Sequence, residues 1–477
     1  MTHRTYSTTR ATFCNELRLL IRDPLCVLLL MFFSIGLGWA SWSSQGLWRG
    51  FANRQVEFQS AEREAWLSQS TENAHMATHV GQTVFKPISP LAGFDPGAVS
   101  DFGSTVFLQS HYQSAAANEP GRDETSLDQN EAYSPAVLLQ LIGPLLIIIL
   151  GTVSIAREKE GGTQSLLLTT GASWHAIVIG KGLAVLVTVL IVATPGLLLF
   201  AVPWFDRNSV LPSVDLIVRE TVIFIMLTAY YVGWIGLTML VTVKSSSTTG
   251  SFSLLVALWS VIALVMPRVA GDAATYVSPL PTNEEIRLEK EAAVHDANQS
   301  SIDIAEANEA LEQRLLEEFE VDRIEDLPID IAGARMIDQE ASTNRLYDEV
   351  DKRVQRATGQ QNKIIDGFQI VSPYLAMRAV SSSFSATDRV HHLDFVESAE
   401  DYRRQFVEAL NVAEMEKRKP GDTPEERRRF WDRIPGFIPD FVSALEDTKR
   451  SMVAMICICV WAVTLCAASL FASPKIR

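Results

Sequence analysis

The sequence predicts an all-α polytopic membrane protein with six transmembrane helices, cytoplasmic N and C termini and two external regions, the second mainly helical. Three observations predict it. Six runs almost free of charge are each about as long as the roughly 20 residues a helix needs to cross a bilayer. Basic residues near the run ends fall mostly on one side, which the positive-inside rule makes cytoplasmic. The net charge of −15 is concentrated in one segment, where acidic residues outnumber basic ones roughly threefold between Glu284 and Lys352.

Residues 1–23 come first. In RATFCNELRLLIRDP, Phe13, Leu17, Leu20 and Ile21 share one helical face and Arg18 and Arg22 another, which predicts a helix lying in the cytoplasmic interface. The chain turns at Pro24 into the first span, 24–48. The first external region, 49–133, opens with a charged, helix-compatible stretch and continues into KPISPLAGFDPGAVSDFGS, whose Pro and Gly predict irregular structure. Asp101, Phe102 and Gly103 match a kinase triplet by chance, since no glycine-rich loop or H-R-D partner accompanies them.

The second span, 134–156, carries Gly143 and Pro144, and the third, 176–204, carries Pro195 and Gly196. Membrane helices tolerate such residues because neighbours re-satisfy the backbone, and they are candidate flexing points. A connector, 157–175, joins these spans. Arg157, Glu158, Lys159 and Glu160 end the second span, Gly161 and Gly162 permit a sharp turn, and Thr163 is placed to cap a short helix carrying Leu166, Leu167 and Leu168. Gly171 ends that helix, Ser173 starts the next, and Lys181 is expected to snorkel to the headgroups.

A short external loop, 205–220, leads to the fourth span, 221–243. Arg219 there is expected to be neutralised by its neighbour Glu220. A cytoplasmic loop, 244–250, precedes the fifth span, 251–267, and the largest soluble piece, 268–450, follows. Within it Ala307, Leu311, Leu315 and Phe319 recur at helical spacing against an acidic outer face, predicting a helix pair or short antiparallel coiled coil. SPYLAMRAVSSSFSATDRVHHLDFVESAEDYRRQFVEALN predicts a capped helix, a Ser-rich turn and a second helix leading back to the membrane. The sixth span, 451–472, and a cytoplasmic tail, 473–477, close the chain.

Chemistry is sparse. His391 and His392 are adjacent and so point about 100° apart on a helix, whereas two ligands on one helix need i and i+4 spacing. A solvated or capping role is the expectation. No H-E-x-x-H, G-x-S-x-G or phosphate-loop pattern is present, since Gly180 and Lys181 are preceded by His175 and followed by an apolar span. The cysteines, Cys14, Cys26, Cys457, Cys459 and Cys466, fall in the interfacial helix and the spans, so a disulfide framework in the external regions is not expected. The acidic external region offers no basic patch for nucleic acid.

The segment REKEGGTQSLLLTTGASWHAIVIGKGLA resembles the coupling element of type-2 ABC transporter permeases, and NELRLLIRDP is similar to their interfacial helix. SPYLAMRAV with TDRVHHLDFVESAEDYRRQFVEALN resembles a subgroup with a large external insertion, related to permeases of the multicopper-enzyme-maturation type. The insertion stands where simpler members carry a short re-entrant hairpin, so their substrate rules do not transfer. The resemblance implies a non-catalytic permease subunit, most simply of an exporter, in a bacterial cytoplasmic (inner) membrane. It implies an ABC ATPase subunit as partner, a second permease copy or paralogue, ATP and magnesium held by the ATPase and no cofactor on this chain. An external protein partner is also compatible. Arg157, Glu158, Glu160, Gly162 and Thr163 would shape the coupling helix, with Leu166, Leu167, Leu168 and Trp174 as its apolar face. The alternative is a non-transport scaffold or sensor whose acidic external helices bind a protein.

Overall fold

The computed structural model describes residues 3–97, 99, 103–113, 134–169, 171–198, 200, 213–245, 247–299 and 301–472. The Asp101–Phe102 pair, the first half of the loop at 205–220 (residues 205–212) and the tail at 473–477 lie outside the described residues.

Helix α1 (His3–Arg22) stops at Asp23, whose carboxylate accepts the backbone N–H groups of Leu25 (3.0 Å) and Cys26 (3.4 Å) and so caps α2 (Pro24–Ser68). Pro24 fits the first turn of α2, where its missing N–H has no intrahelical partner to lose. Helix α2 runs on without a break past residue 48, where the expected first span ends. It continues through the charged stretch that the sequence assigns to the external region. Along its membrane portion Leu25, Leu28, Phe32, Ile35, Trp39 and Trp42 are exposed. An apolar face turned outward in this way suits hydrocarbon as the surrounding medium.

The Pro- and Gly-rich stretch 86–104 is irregular in its described residues, but regular elements flank it. After α3 (Ala74–Val80) come β1 (Gln82–Phe85), β2 (Thr105–Gln109) and β3 (Tyr112–Gln113), an antiparallel sheet in the order β1-β2-β3 with Gln82 opposite Leu108 and Gln109 opposite Tyr112. Strand alternation turns Val84, Val106 and Leu108 inward against Phe395 and Ala399. The otherwise helical protein thus includes a three-stranded element that the Pro- and Gly-rich sequence conceals.

Among the described residues six helices are long and apolar enough to cross a membrane. The second is composite: α4 (Pro135–Val137), a π-helical turn at Leu138–Ile142, then α5 (Gly143–Glu160). Pro144 has no N–H for the Gln140 carbonyl, and the side chains around it supply donors instead. The hydroxyls of Tyr230 and Tyr231 donate to the Gln140 and Leu139 carbonyls (both 2.9 Å), and Trp259 Nε1 donates to Leu141 O (3.1 Å). This is backbone repair inside an apolar core. After α6 (Thr163–Thr169), α7 (Trp174–Leu198) and α8 (Ser213–Lys244), the fifth apolar helix repeats the device. Its segments are α9 (Thr248–Ser260), a π turn at Val261–Val265 and α10 (Met266–Val277) with Pro267; Ser372 Oγ donates to the Ile262 carbonyl at 2.7 Å.

The large soluble region holds α11 (Asn283–Gln299), α12 (Ser301–Glu318), the 38-residue α13 (Ile331–Phe368), α14 (Pro373–Phe384), α15 (Arg389–Met415), α16 (Pro424–Trp431) and α17 (Ala444–Arg450), before α18 (Met452–Phe471) forms the sixth apolar helix. Leu311 and Leu315 of α12 pack on Ala334 of α13 with Phe319 at the edge, while Ala307 is exposed and outside that contact. Ser372 caps α14, accepting from Leu375 N, but Ser381–Ser383 belong to the helix rather than to a turn. Helix α15 does not return directly to the membrane, because α16 and α17 intervene. A second core, built on Trp66, Trp431, Phe406 and Leu410, joins the outer end of α2 to α15 and α16.

His391 and His392 are both buried, which corrects the solvated expectation. His391 is held by Asp388 (2.6 Å) and Asp447 (3.3 Å). Asp447 also pairs with the fully buried Arg219 (2.7 Å), whose other ion pair is to Asp215 (2.6 Å). Arg219 is thus neutralised by two aspartates, one of them far away in sequence, and not by its neighbour Glu220.

Candidate coupling site

The four charged residues at the end of α5 each grip a different neighbour. Consecutive helical positions project about 100° apart, so four in a row cover the whole circumference. Arg157 pairs with Asp23 at the α1–α2 junction. Glu158 Oε1 lies 2.9 Å from Lys181 Nζ on α7. Lys159 Nζ donates to the carbonyls of Val243 (3.2 Å) and Ser245 at the end of α8, and Glu160 accepts from Thr248 Oγ1 at the start of α9. One turn of helix therefore ties four elements together at one end of the bundle.

Lys181 is the centre of this layer. Its side chain is 2% exposed, and its ammonium meets Glu16 Oε2 (2.7 Å), Glu158 and the Ser154 carbonyl (2.9 Å). Its three N–H groups have hydrogen-bond acceptors in Glu16, the Ser154 carbonyl and Ser154 Oγ (3.3 Å), with Glu158 as a second ion-pair partner, and the expectation that Lys181 snorkels to headgroups is corrected. Glu16 reaches it because α1 lies directly on α7 at Gly180. A Cβ there would stand 2.7 Å from Thr12 Cβ and 2.8 Å from the Thr9 carbonyl.

From α5 the chain reverses through Gly161, whose N–H bonds Arg157 O at 3.0 Å, and Gly162 at φ +70°, the left-handed position that ends helices at glycine. Thr163 begins α6. Its hydroxyl donates back to the Glu158 carbonyl at 3.3 Å. Gly171 (φ +85°) ends the connector, and Ser173 Oγ accepts Ala176 N–H at 3.3 Å to start α7.

The expected apolar face divides. Leu166 is 64% exposed and Leu167 lies at the margin of exposure, whereas Leu168 packs against the bundle core. Trp174 belongs to the bundle and is buried, donating from Nε1 to the Ser469 carbonyl of α18 at 3.3 Å. On α1, Leu20 is buried, Phe13 and Leu17 are half-buried, and Arg18 and Arg22 are exposed; Ile21 is exposed and leaves the inward face. Glu16, not foreseen as a site residue, takes an inward place. A cleft of about 390 Å³ separates α1 from the connector, lined among others by Thr12, Asn15, Glu16, Glu158, Leu167 and Ala172. The arrangement is a short helix with Leu166 and Leu167 turned outward and with the ion pairs and hydrogen bonds of residues 157–160 behind it.

A family model described as a domain of unknown function (DUF3526) matches residues 287–439, from α11 through α16. It covers less than half of the chain and none of the six apolar helices. No curated protein matches the chain.

Proposed function

We propose that the chain is the membrane subunit of an ATP-binding-cassette transporter, working as an exporter or doing mechanical work on an external partner. It pairs with a second permease copy or paralogue, and a separate ATPase carries ATP and magnesium. The observation that supports this reading best is α6, a short helix presenting Leu166 and Leu167 outward between two left-handed glycines, with Arg157, Glu158, Lys159 and Glu160 anchored behind it. A push on α6 reaches α1, α2, α7, α8 and α9 through those anchors without passing through a flexible loop. Basic residues also gather at this end, among them Arg18, Arg22, Arg157, Lys159 and Lys244, which supports a cytoplasmic placement in a bacterial inner membrane.

A scaffold or sensor is the second reading, favoured by the family match falling on the soluble helices alone. Co-purification from membranes separates the two. The tagged full-length chain is compared with Leu166→Asp/Leu167→Asp, both changes on exposed side chains. The proposal expects an ATPase with wild type and its loss from a variant that still inserts and melts normally. No ATPase with either form, or equal recovery with both, overturns it in favour of the scaffold.

A further inference from the structure

Far from the coupling layer, three histidines from two elements converge. His75 and His79 are four residues apart on α3, which stacks their rings on one face. Their centroids are 5.1 Å apart and their Nε2 atoms 3.4 Å apart. His111, from the turn between β2 and β3, brings its ring centroid to 6.0 Å from His75 and 5.5 Å from His79. One ring nitrogen of each lies within 4.8 Å of the other two. Two imidazole nitrogens bound at about 2.0–2.1 Å to a tetrahedral ion are about 3.3–3.4 Å apart, the spacing that His75 and His79 already have.

Each ring is steered through its other nitrogen. His75 Nδ1 is 2.8 Å from Asn411 Oδ1, His79 Nδ1 is 3.3 Å from Ser110 Oγ, and His111 Nδ1 is 3.0 Å from Glu340 Oε2. Acceptors on Nδ1, Asn411 Oδ1 for His75 and Glu340 Oε2 for His111, select the tautomer that leaves Nε2 as the ligand atom, and the Ser110 hydroxyl can serve His79 in the same way, the outer shell that metal-binding histidines carry. The backbone of His111 is held as firmly. It sits at φ +58°, a left-handed conformation that is uncommon outside glycine but that histidine takes more often than most residues, with its N–H on Glu340 Oε2 (3.3 Å) and its carbonyl accepting from Tyr347 Oη (3.2 Å).

We propose that His75, His79 and His111 bind a divalent transition-metal ion of the zinc class, with one coordination position left open to water or an exchangeable ligand. Three imidazoles suit zinc, copper or nickel and not the oxygen-seeking calcium or magnesium. Glu340 is a positioning residue that acts through His111.

The test uses the full-length protein in nanodiscs, purified without a histidine tag and stripped by chelator, then titrated with Co²⁺ as a spectroscopic probe and with Zn²⁺ as competitor. Wild type should give the visible bands of tetrahedral cobalt, saturate at one ion per chain and lose them to zinc. Glu340→Gln should weaken binding about 10–100-fold. His79→Gln and His111→Asn should weaken it more, the asparagine being chosen because it tolerates the left-handed turn; His175→Gln, outside the cluster, should change nothing. Melting curves confirm that the variants fold. Absence of the cobalt bands in wild type, or binding unchanged in both His79→Gln and His111→Asn, overturns the site.

Discussion

Lys181 Nζ lies 2.7 Å from Glu16 Oε2, so a buried ion pair joins the α1 helix to the third apolar helix, and Glu158 shares the same ammonium. Removing the cation leaves two carboxylates buried around an apolar side chain. Lys181→Met should therefore destabilise the protein by about 3–5 kcal/mol. Adding Glu16→Gln and Glu158→Gln should recover a large part of the loss. Thermal unfolding in detergent reads both; a single variant as stable as wild type would refute this account of the layer.

The π turn in the second apolar helix depends on borrowed donors. Tyr230→Phe and Tyr231→Phe each remove one hydroxyl and keep the ring. Each should cost about 0.6 kcal/mol, the average for hydrogen bonds within membranes, and no more than about 1.7 kcal/mol. Unchanged melting of the double variant would show that the freed carbonyls of Leu139 and Gln140 need no partner.

His391 gives the soluble region a dependence on pH. Burial opposes its charge, but hydrogen bonds to Asp388 and Asp447, and their charges, hold its pKa up at about 9 against an ordinary 6.5. The folded value is the higher one, so this contribution is fully present below about pH 6.5 and is lost as pH rises through about 9. Lys86, held down at about 8 by burial despite Asp388 and Asp394, destabilises the fold while charged, and that cost is relieved above about pH 8. Stability should fall most clearly between about pH 6.5 and 8. Melting temperatures across that window should be flatter in His391→Gln; identical slopes would exclude His391 as the cause.

Arg403 is 1% exposed and its guanidinium serves Glu400 (2.8 Å), Glu340 (2.6 Å), Asn344 and the Gln109 carbonyl together. A lysine keeps the charge and loses the fork. Arg403→Lys should cost about 3–5 kcal/mol, because buried carboxylates on two helices lose their partners. Denaturant unfolding checks this, and a cost below about 1 kcal/mol would mean that an ammonium with water replaces the fork.

What was legible before the structure was local. The six apolar runs and the Gly-Gly turn at 161–162 are patterns within one segment, and composition reveals them. The partners of Lys181, Arg219 and Arg403 were not legible, because Glu16, Asp447 and Glu340 approach from distant parts of the chain, and a lysine near a span end ordinarily points to the headgroups. The histidines show both cases. His75 and His79 carry the i, i+4 spacing openly, yet the adjacent His391 and His392 draw the eye, and His111 joins them only once the β2–β3 turn forms. Strands β1 to β3 hide behind the Pro and Gly of the loop that separates β1 from β2.

Helix α2 is 45 residues without a break, about 68 Å at 1.5 Å per residue, while the hydrocarbon core it crosses is about 30 Å thick. More than half of it is therefore a lever arm beyond the bilayer. The arm ends at Trp66, clamped on Phe406 and Trp431 with ring centroids 5.2 and 5.5 Å away. A tilt of about 10° at the membrane surface would sweep that end through about 6 Å, roughly one helical turn. The packing of Trp66 on Phe406 and Trp431 means that such a displacement would be shared by α15 and α16.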